Sequence, residues 1–355
     1  MAMVPVIQIG VGGVGRELVG QVLGARAALE SRYGFRLEYL ALADSAGALA
    51  SGSPLPEERI LAAMRAKAAG GNLAASPAGR AIQSWDELVP DGPCIVVDVT
   101  AASGHEVPLA DAISGGARVV LANKKPLSAT WSSFVELTFG AATRYEATVG
   151  AGLPVIATLQ GLLDSGDQVT RIEAAMSGTL GYLCSELEAG VPLSAAVRAA
   201  HQLGYTEPDP RDDLSGADVA RKALILARTC GLEWELANIP AEPWFPPTLA
   251  GVSRDTFMAR LEDLDAPFAA RVAAAKAQGA ALRYVATITP EGASVGLRAV
   301  PADHPLASLR GPDNLFSFTT ARYAERPLVV RGPGAGQAAT AAGVLADIVA
   351  TAREM

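Results

Sequence analysis

Between Glu207 and Lys222 the chain reads Glu-Pro-Asp-Pro-Arg-Asp-Asp-Leu-Ser-Gly-Ala-Asp-Val-Ala-Arg-Lys, a group of acids followed by a single lysine. Pro208 and Pro210 keep this stretch out of helix, and Asp212, Asp213 or Ser215 can cap a helix expected from Ala217 to Cys230. On that helix Asp218 and Lys222 are four residues apart and share a face. Most such pairs are solvated salt bridges. Here Ala-Leu-Ile-Leu-Ala follows, an apolar run suited to burial, and a buried lysine beside a carboxylate can transfer protons. A second constellation opens the chain, where the strand-like Val4-Pro-Val-Ile-Gln-Ile runs into Gly10-Val-Gly-Gly-Val-Gly15 and then a helical stretch from Arg16 to about Ser31. In that setting Gly10 permits a tight turn, Gly12 lets backbone approach a pyrophosphate, and Gly15 lets helix and strand pack closely. Gly13 and Val14 complete the helix N-terminus that would face phosphates.

These residues need a sheet to hold them. Leu37–Asp44 reads as the second strand, with Asp44 at its carboxyl end where an adenosine ribose would lie, although the position suits a turn aspartate equally. Cys94–Thr100 and the run from Ala117 read as two more buried strands ending in polar residues, which puts Thr100, Ser103, Asn123 and Lys124 at the ligand crevice of a parallel sheet. Residues 45–93 are rich in Ala, Gly, Ser and Pro, with a helical patch from Pro56 to Ala68, and read as a variable connection. Beyond Val155 come strand-like Val169–Met176, the turn Ser177-Gly178-Thr179-Leu180, helices near 193–203 and 216–230, and strands around 281–300. The chain ends in Phe316–Tyr323, Leu328–Gly336 and a small-residue helix from Gln337 to Arg353. The expected fold is α/β, a Rossmann-type doubly wound parallel sheet with a second α+β domain.

With 355 residues, half of them hydrophobic, the chain supports two domains and a large core. A net charge of −8 without a basic stripe argues against nucleic acid. No basic leader precedes the first strand and no run approaches the roughly 20 apolar residues of a membrane helix, so a soluble cytoplasmic protein with no membrane partner is expected. Cys94, Cys184 and Cys230 are scattered and suit no disulfide framework or metal set.

Ala200, Gly204-Tyr205-Thr206, Asp209-Pro210, Asp213, Gly216, Asp218 and Lys222 together match, without a gap, a signature similar to that of homoserine dehydrogenase. The resemblance extends over nearly the whole chain except the 45–93 connection, and the regulatory C-terminal domain of some members is not expected. It implies the NAD(P)-dependent interconversion of L-homoserine and L-aspartate 4-semialdehyde in threonine, methionine and isoleucine biosynthesis. Lys222 would move the proton, with Asp218 beside it. Glu207, Asp213 and Asp218, with Gly178 and Thr179, would bind substrate. Asn123-Lys124-Lys125-Pro126 resembles the family's lysine motif and puts Lys124 at the nicotinamide and substrate, although a charged pair after a strand is often solvated loop. The Glu146–Val155 segment would supply a monovalent cation site (Na+ or K+) from Glu146 and the carbonyls of Val149, Ala151 and Leu153, unless it is only an interdomain hinge. Gly334, in the loop before the last helix, is a further cofactor candidate. The domains implied are 1–146 with about 320–355 for the dinucleotide and 147–319 for substrate, catalysis and dimerisation, giving a homodimer.

NAD is slightly favoured over NADP, because Asp44 could accept from ribose hydroxyls and repel a 2′-phosphate, and no arginine or lysine follows it through Ala50. Oxidation to an acyl phosphate would need a cysteine nucleophile, which Cys94, Cys184 and Cys230 do not provide. His105, His201 and His304 read as loop or surface residues, with His201 close enough to the signature to keep in view. Two other readings stay open: a non-catalytic dinucleotide sensor, and an oxidoreductase for another amino-acid aldehyde.

Overall fold

A computed structural model describes residues 2–355. The chain forms two compact units, Met1–Gly152 with Gly336–Met355, and Leu153–Ala335. In the first, strands β1 (Ala2–Ile9), β2 (Phe35–Asp44), β3 (Gly47–Ala50), β4 (Gly79–Arg80), β5 (Ile95–Asp98), β6 (Arg118–Leu121) and β7 (Thr143–Arg144) make one sheet in the order β4-β3-β2-β1-β5-β6-β7. From β2 to β7 neighbours run parallel, while β3 and β4 add an antiparallel edge. Ile95–Val97 of β5 and Val119–Leu121 of β6 are apolar runs buried throughout, as in a sheet covered on both faces, whereas the first half of β2 alternates buried Phe35, Leu37 and Tyr39 with partly exposed Arg36 and Glu38.

Helix Gly13–Tyr33 buries Leu18, Val19, Val22, Arg26 and Leu29, the three- and four-residue spacing of one face, and stops at Gly34 in the left-handed region. It packs on the C-terminal helix Gln337–Ala352, and Val6, Leu37, Tyr39, Ile95, Val97, Val344 and Ile348 share the resulting core.

The second unit is built on an antiparallel sheet, β8 (Val169–Ala175), β9 (Ala280–Thr289), β10 (Gly292–Pro301), β11 (Asp313–Thr320) and β12 (Leu328–Pro333), in the order β10-β9-β8-β11-β12. Helices Gly178–Glu188, Ala217–Thr229 and Asp265–Ala277 pack against β9. The boundary expected near residue 320 moves. Leu328 to Pro333 pair in register with Phe318 to Asp313, so the chain stays in this sheet until after Pro333 and only the last helix belongs to the first unit.

Candidate active site

The glycine turn is held by a side chain that the motif does not contain. Gln8 is fully buried, and its Nε2 donates to the carbonyls of Gly10 and Gly15, both at 2.9 Å, while Tyr39 Oη donates to its Oε1 at 2.8 Å. Gly10 sits at φ 100, and a Cβ on Gly15 would lie 2.1 Å from the Gly10 carbonyl, so neither position tolerates a side chain. A Cβ on Gly12 would meet nothing within 4 Å. Gly12 is the N-cap of helix Gly13–Tyr33 and caps it without a side chain, so the first N–H groups of the helix are not screened by one. Gly13 leaves room for the Gln337 amide, and Val14 packs on the core. A groove of about 600 Å³ runs along this turn, lined by Gly10, Gly12, Asp44, Lys67, Trp85 and Thr100 among others.

Asp44 lies at that groove as expected, but its oxygens are committed. The backbone N–H groups of Ala46 and Gly47 donate to Oδ1, and Leu73 N and Lys67 Nζ donate to Oδ2 at 2.9 and 2.8 Å. A carboxylate offers about four acceptor positions, so none remains for a ribose hydroxyl, and the role given to Asp44 is withdrawn. Burial works against its charge, and the bonds from Lys67, Ala46 and Leu73 outweigh it and hold the carboxyl below the ordinary value. The cation absent from residues 45–50 arrives instead as Lys67, from helix Glu57–Ala68.

Thr100 and Asn123 meet around Asp98, which is fully buried at the end of β5. Thr100 N donates to Asp98 Oδ1, and Asn123 Nδ2 reaches Asp98 Oδ2 and the Ala102 carbonyl, each at 2.9 Å. Ser103 pairs with Lys125, whose Nζ lies 3.1 Å from its Oγ, and the partly buried Lys124 accepts through its carbonyl from Ser128 N.

The Glu146 loop is buried in the first unit. Asp347 on the C-terminal helix accepts from Glu146 N at 2.8 Å, and burial raises the Asp347 carboxyl to about 7. Ala151 occupies the left-handed region at φ 56, and its carbonyl is turned against Gly343, where an added Cβ would lie 2.3 Å away. A glutamate carboxylate with a turn of backbone carbonyls is a donor set for a hard monovalent cation. Val149 lies in the same loop, while Leu153 begins the second unit. Among the described residues no cluster of three His, Cys, Asp or Glu side chains could hold a metal ion.

In the second unit Lys222 is 8% exposed, and Ala223 to Arg228 after it are all buried. Its Nζ donates to the Met176 carbonyl at 2.8 Å and lies 3.0 Å from Asp218 Oδ2, whose side chain is 47% exposed. The lysine is thus inside and its carboxylate at the mouth. Asp213 accepts from Glu207 N at 2.8 Å and lies 3.1 Å from Thr179 Oγ1. Burial pushes the Asp213 carboxyl above its ordinary value. The bonds from Glu207 N–H and Thr179 oppose this, and the charges of Glu207 and Asp218 add to it. Gly178 starts its helix close to the Pro312 carbonyl, 3.2 Å from where a Cβ would stand.

Other signature residues are scaffolding. Pro210 does not exclude helix but begins a short one, Pro210–Leu214, capped by Asp209, and Arg211 ties it to Asp209 and to the carbonyls of Ala250 and Val252. The N-cap of helix Ala217–Thr229 is Gly216, at φ 72, where a Cβ would lie 1.9 Å from Tyr284 Oη; of the expected capping residues, Ser215 Oγ accepts from the first helical N–H, Ala217 N, at 3.2 Å. Gly334 lies in the second unit, packed on the buried Asn314 amide, 1.8 Å from where its Cβ would be, which accounts for the glycine without a cofactor. Burial raises the Cys94 thiol to about 11 and those of Cys184 and Cys230 to about 12, in accord with structural thiols. His201 pairs with Thr206, and His304 caps a turn while facing Glu173. His105 is no surface residue: its Nδ1 lies 2.8 Å from Asp98.

Residues 10–146 match the model described as homoserine dehydrogenase, NAD binding domain, and residues 154–349 match the model described as homoserine dehydrogenase. The chain belongs to the homoserine dehydrogenase family. It is 42% identical over 279 residues to a homoserine dehydrogenase of Paracoccidioides brasiliensis, covering 73% of this chain and 74% of that one. A chloroplastic bifunctional aspartokinase/homoserine dehydrogenase 1 of Zea mays is 39% identical over 96% of the chain. The chain spans only 37% of that protein's length, and 29% of a second maize relative of the same type. A Candida auris protein of unknown function has a crystal structure with TM-score 0.88 at 32% identity, covering 99% of each chain. The archaeal homoserine dehydrogenase solved with NADPH shares the fold at TM-score 0.76 and 24% identity.

Proposed function

We propose that the chain is a homoserine dehydrogenase that interconverts L-aspartate 4-semialdehyde and L-homoserine with a nicotinamide dinucleotide, a step of threonine, methionine and isoleucine biosynthesis. The observation that carries this is Lys222: a buried amine held by the Met176 carbonyl and by Asp218, whose charge in turn acts on Asp213. When bound, the dinucleotide supplies or takes the hydride. Lys222 gives its proton to the aldehyde oxygen in the reducing direction and takes the hydroxyl proton in the other. The charges of Glu207 and Asp218 both bear on Asp213, and a substrate α-ammonium would relieve that repulsion. Gly178 and Thr179 would contact the same substrate, and Lys124 would serve its carboxylate or the reacting oxygen. Glu146 with the carbonyls of Val149, Ala151 and Leu153 would hold Na+ or K+, which would offset a buried carboxylate. Family membership supports a homodimer, which sedimentation equilibrium measures.

Gly10, Gly12, Gly13, Val14 and Gly15, with Thr100, Ser103 and Asn123, would hold the dinucleotide. With Asp44 ion-paired to Lys67 and its acceptor positions filled, its charge does not select NAD over NADP, so we infer use of both, with Lys67 the cation available for a 2′-phosphate. Lys67→Gln should lower kcat/KM for NADPH roughly tenfold with a much smaller change for NADH, the size of one charge-assisted hydrogen bond. An equal loss for both would mean that Lys67 serves only to hold Asp44. The function itself is tested by oxidation of NADH or NADPH with a panel of amino-acid aldehydes. Aspartate 4-semialdehyde should be the preferred substrate, and a homologue longer by one methylene turned over faster would reassign it.

A further inference from the structure

His105 precedes helix Glu106–Ser114 and stands at the back of the groove wall, where it touches two parts of that wall by separate routes. Its ring meets the Trp85 indole edge-on at a centroid distance of 5.4 Å, and Trp85 lines the groove. Its Nδ1 lies 2.8 Å from Asp98 Oδ2. That carboxylate is fully buried and also accepts from Thr100 N and Asn123 Nδ2, while Asn123 Nδ2 in turn donates to the Ala102 carbonyl. Val99, Thr100, Ala101 and Ala102 all line the groove. A buried carboxylate bonded only to neutral donors is costly, and an imidazolium at Nδ1 offsets part of that cost.

We propose that His105 is a positioning residue for the dinucleotide: with Asp98 it fixes the Val99–Ala102 segment and the Trp85 ring that line the groove. The inference rests on the reading of this groove as the dinucleotide site. The charged groups facing His105 are Asp98 from β5 and Glu106 from its own helix; Trp85 and Asn123 face it as neutral groups. The hydrogen bond to Asp98 raises the His105 pKa, burial opposes the shift, and the charges of Asp98 and Glu106 add to it. A histidine whose folded pKa is raised contributes fully while protonated, and the contribution is lost as pH rises through that value. Dinucleotide affinity should therefore fall as pH is raised above the ordinary histidine range.

Equilibrium dialysis of the intact protein with NADH and with NADPH, repeated across pH, tests this without turnover. His105→Phe keeps a ring edge against Trp85 and removes the donor; its Kd should rise about three- to tenfold, the worth of one hydrogen bond, with the pH dependence gone. His105→Gln keeps only a neutral donor, so its Kd should match that of wild type at high pH, where His105 is neutral, and show no pH slope. At saturating dinucleotide the kcat of both variants should stay within about twofold of wild type. If His105→Phe does not fold, the flat profile of His105→Gln carries the test. Wild-type Kd and pH slope in either variant would overturn the inference while leaving the function standing. Failure of the wild-type protein to retain either dinucleotide would overturn the cofactor reading and this inference together.

Discussion

The two units make their sites in opposite ways. At the groove of the first unit the work is done by backbone and by missing side chains: Gly10 at positive φ, Gly15 against the Gly10 carbonyl, and a helix N-terminus with no capping side chain. In the second unit it is done by side chains brought together from Thr179, Asp213, Asp218 and Lys222, with the Met176 carbonyl as anchor. A site of the first kind fails by steric exclusion. One of the second kind fails by loss of charge or of a proton, with the fold intact.

Gly15→Ala is the harshest way to break that contrast. A methyl placed 2.1 Å from a backbone carbonyl cannot be absorbed by a side-chain movement, so about 3 kcal/mol of stability should be lost. That corresponds to a fall in Tm of roughly 5–10 °C for a unit of this size, with dinucleotide binding lost as well. Gly12→Ala is its control: with open space around it, Tm should hold while the dinucleotide Kd rises. If the two substitutions lower Tm equally, the turn is not packed as described.

Asp44→Ser asks whether Asp44 is part of the cofactor's recognition or of the wall itself. It orphans the donors of Ala46, Gly47, Leu73 and Lys67, and should cost about 1–3 kcal/mol with no clean change of cofactor preference. Because the folded-state pKa of Asp44 is depressed, its stabilisation is present above the ordinary carboxylate value and is lost as pH falls through the lowered one. Thermal melts should show that acid limb in wild type and a shallower one in Asp44→Ser. A clean switch to NADPH at unchanged Tm would restore the ribose role.

The smallest effect is expected from Glu207→Gln, which keeps size and the backbone bond to Asp213 but removes an exposed charge. The KM for the amino-acid substrate should rise by about fivefold to tenfold, the worth of one partly screened charge-assisted contact, with dinucleotide Kd unchanged. Equal rises in both would mark a disturbed loop.

What was legible in the sequence follows from the same contrast. The glycine turn is local, and the Asp218-Lys222 spacing with an apolar run behind it announces a buried amine, so both were readable in short windows. Gln8 was not, since it gains meaning only when Tyr39 and Gly15 are beside it. Lys67 reaches Asp44 across a connection with no motif, and His105 reads as a loop or surface residue because its partners Asp98 and Trp85 come from two other segments. The boundary after Pro333 depended on a β-ladder that no periodicity specifies.

The central claim is that Lys222 moves the proton while the groove of the first unit binds the dinucleotide on its own. Measuring kcat and dinucleotide Kd together for Lys222→Ala with aspartate 4-semialdehyde tests both halves. We expect kcat to fall by roughly 10²–10⁴-fold, the contribution of one general acid, with Kd within about twofold of wild type. Turnover at the wild-type rate would make Lys222 a structural lysine and contradict the account.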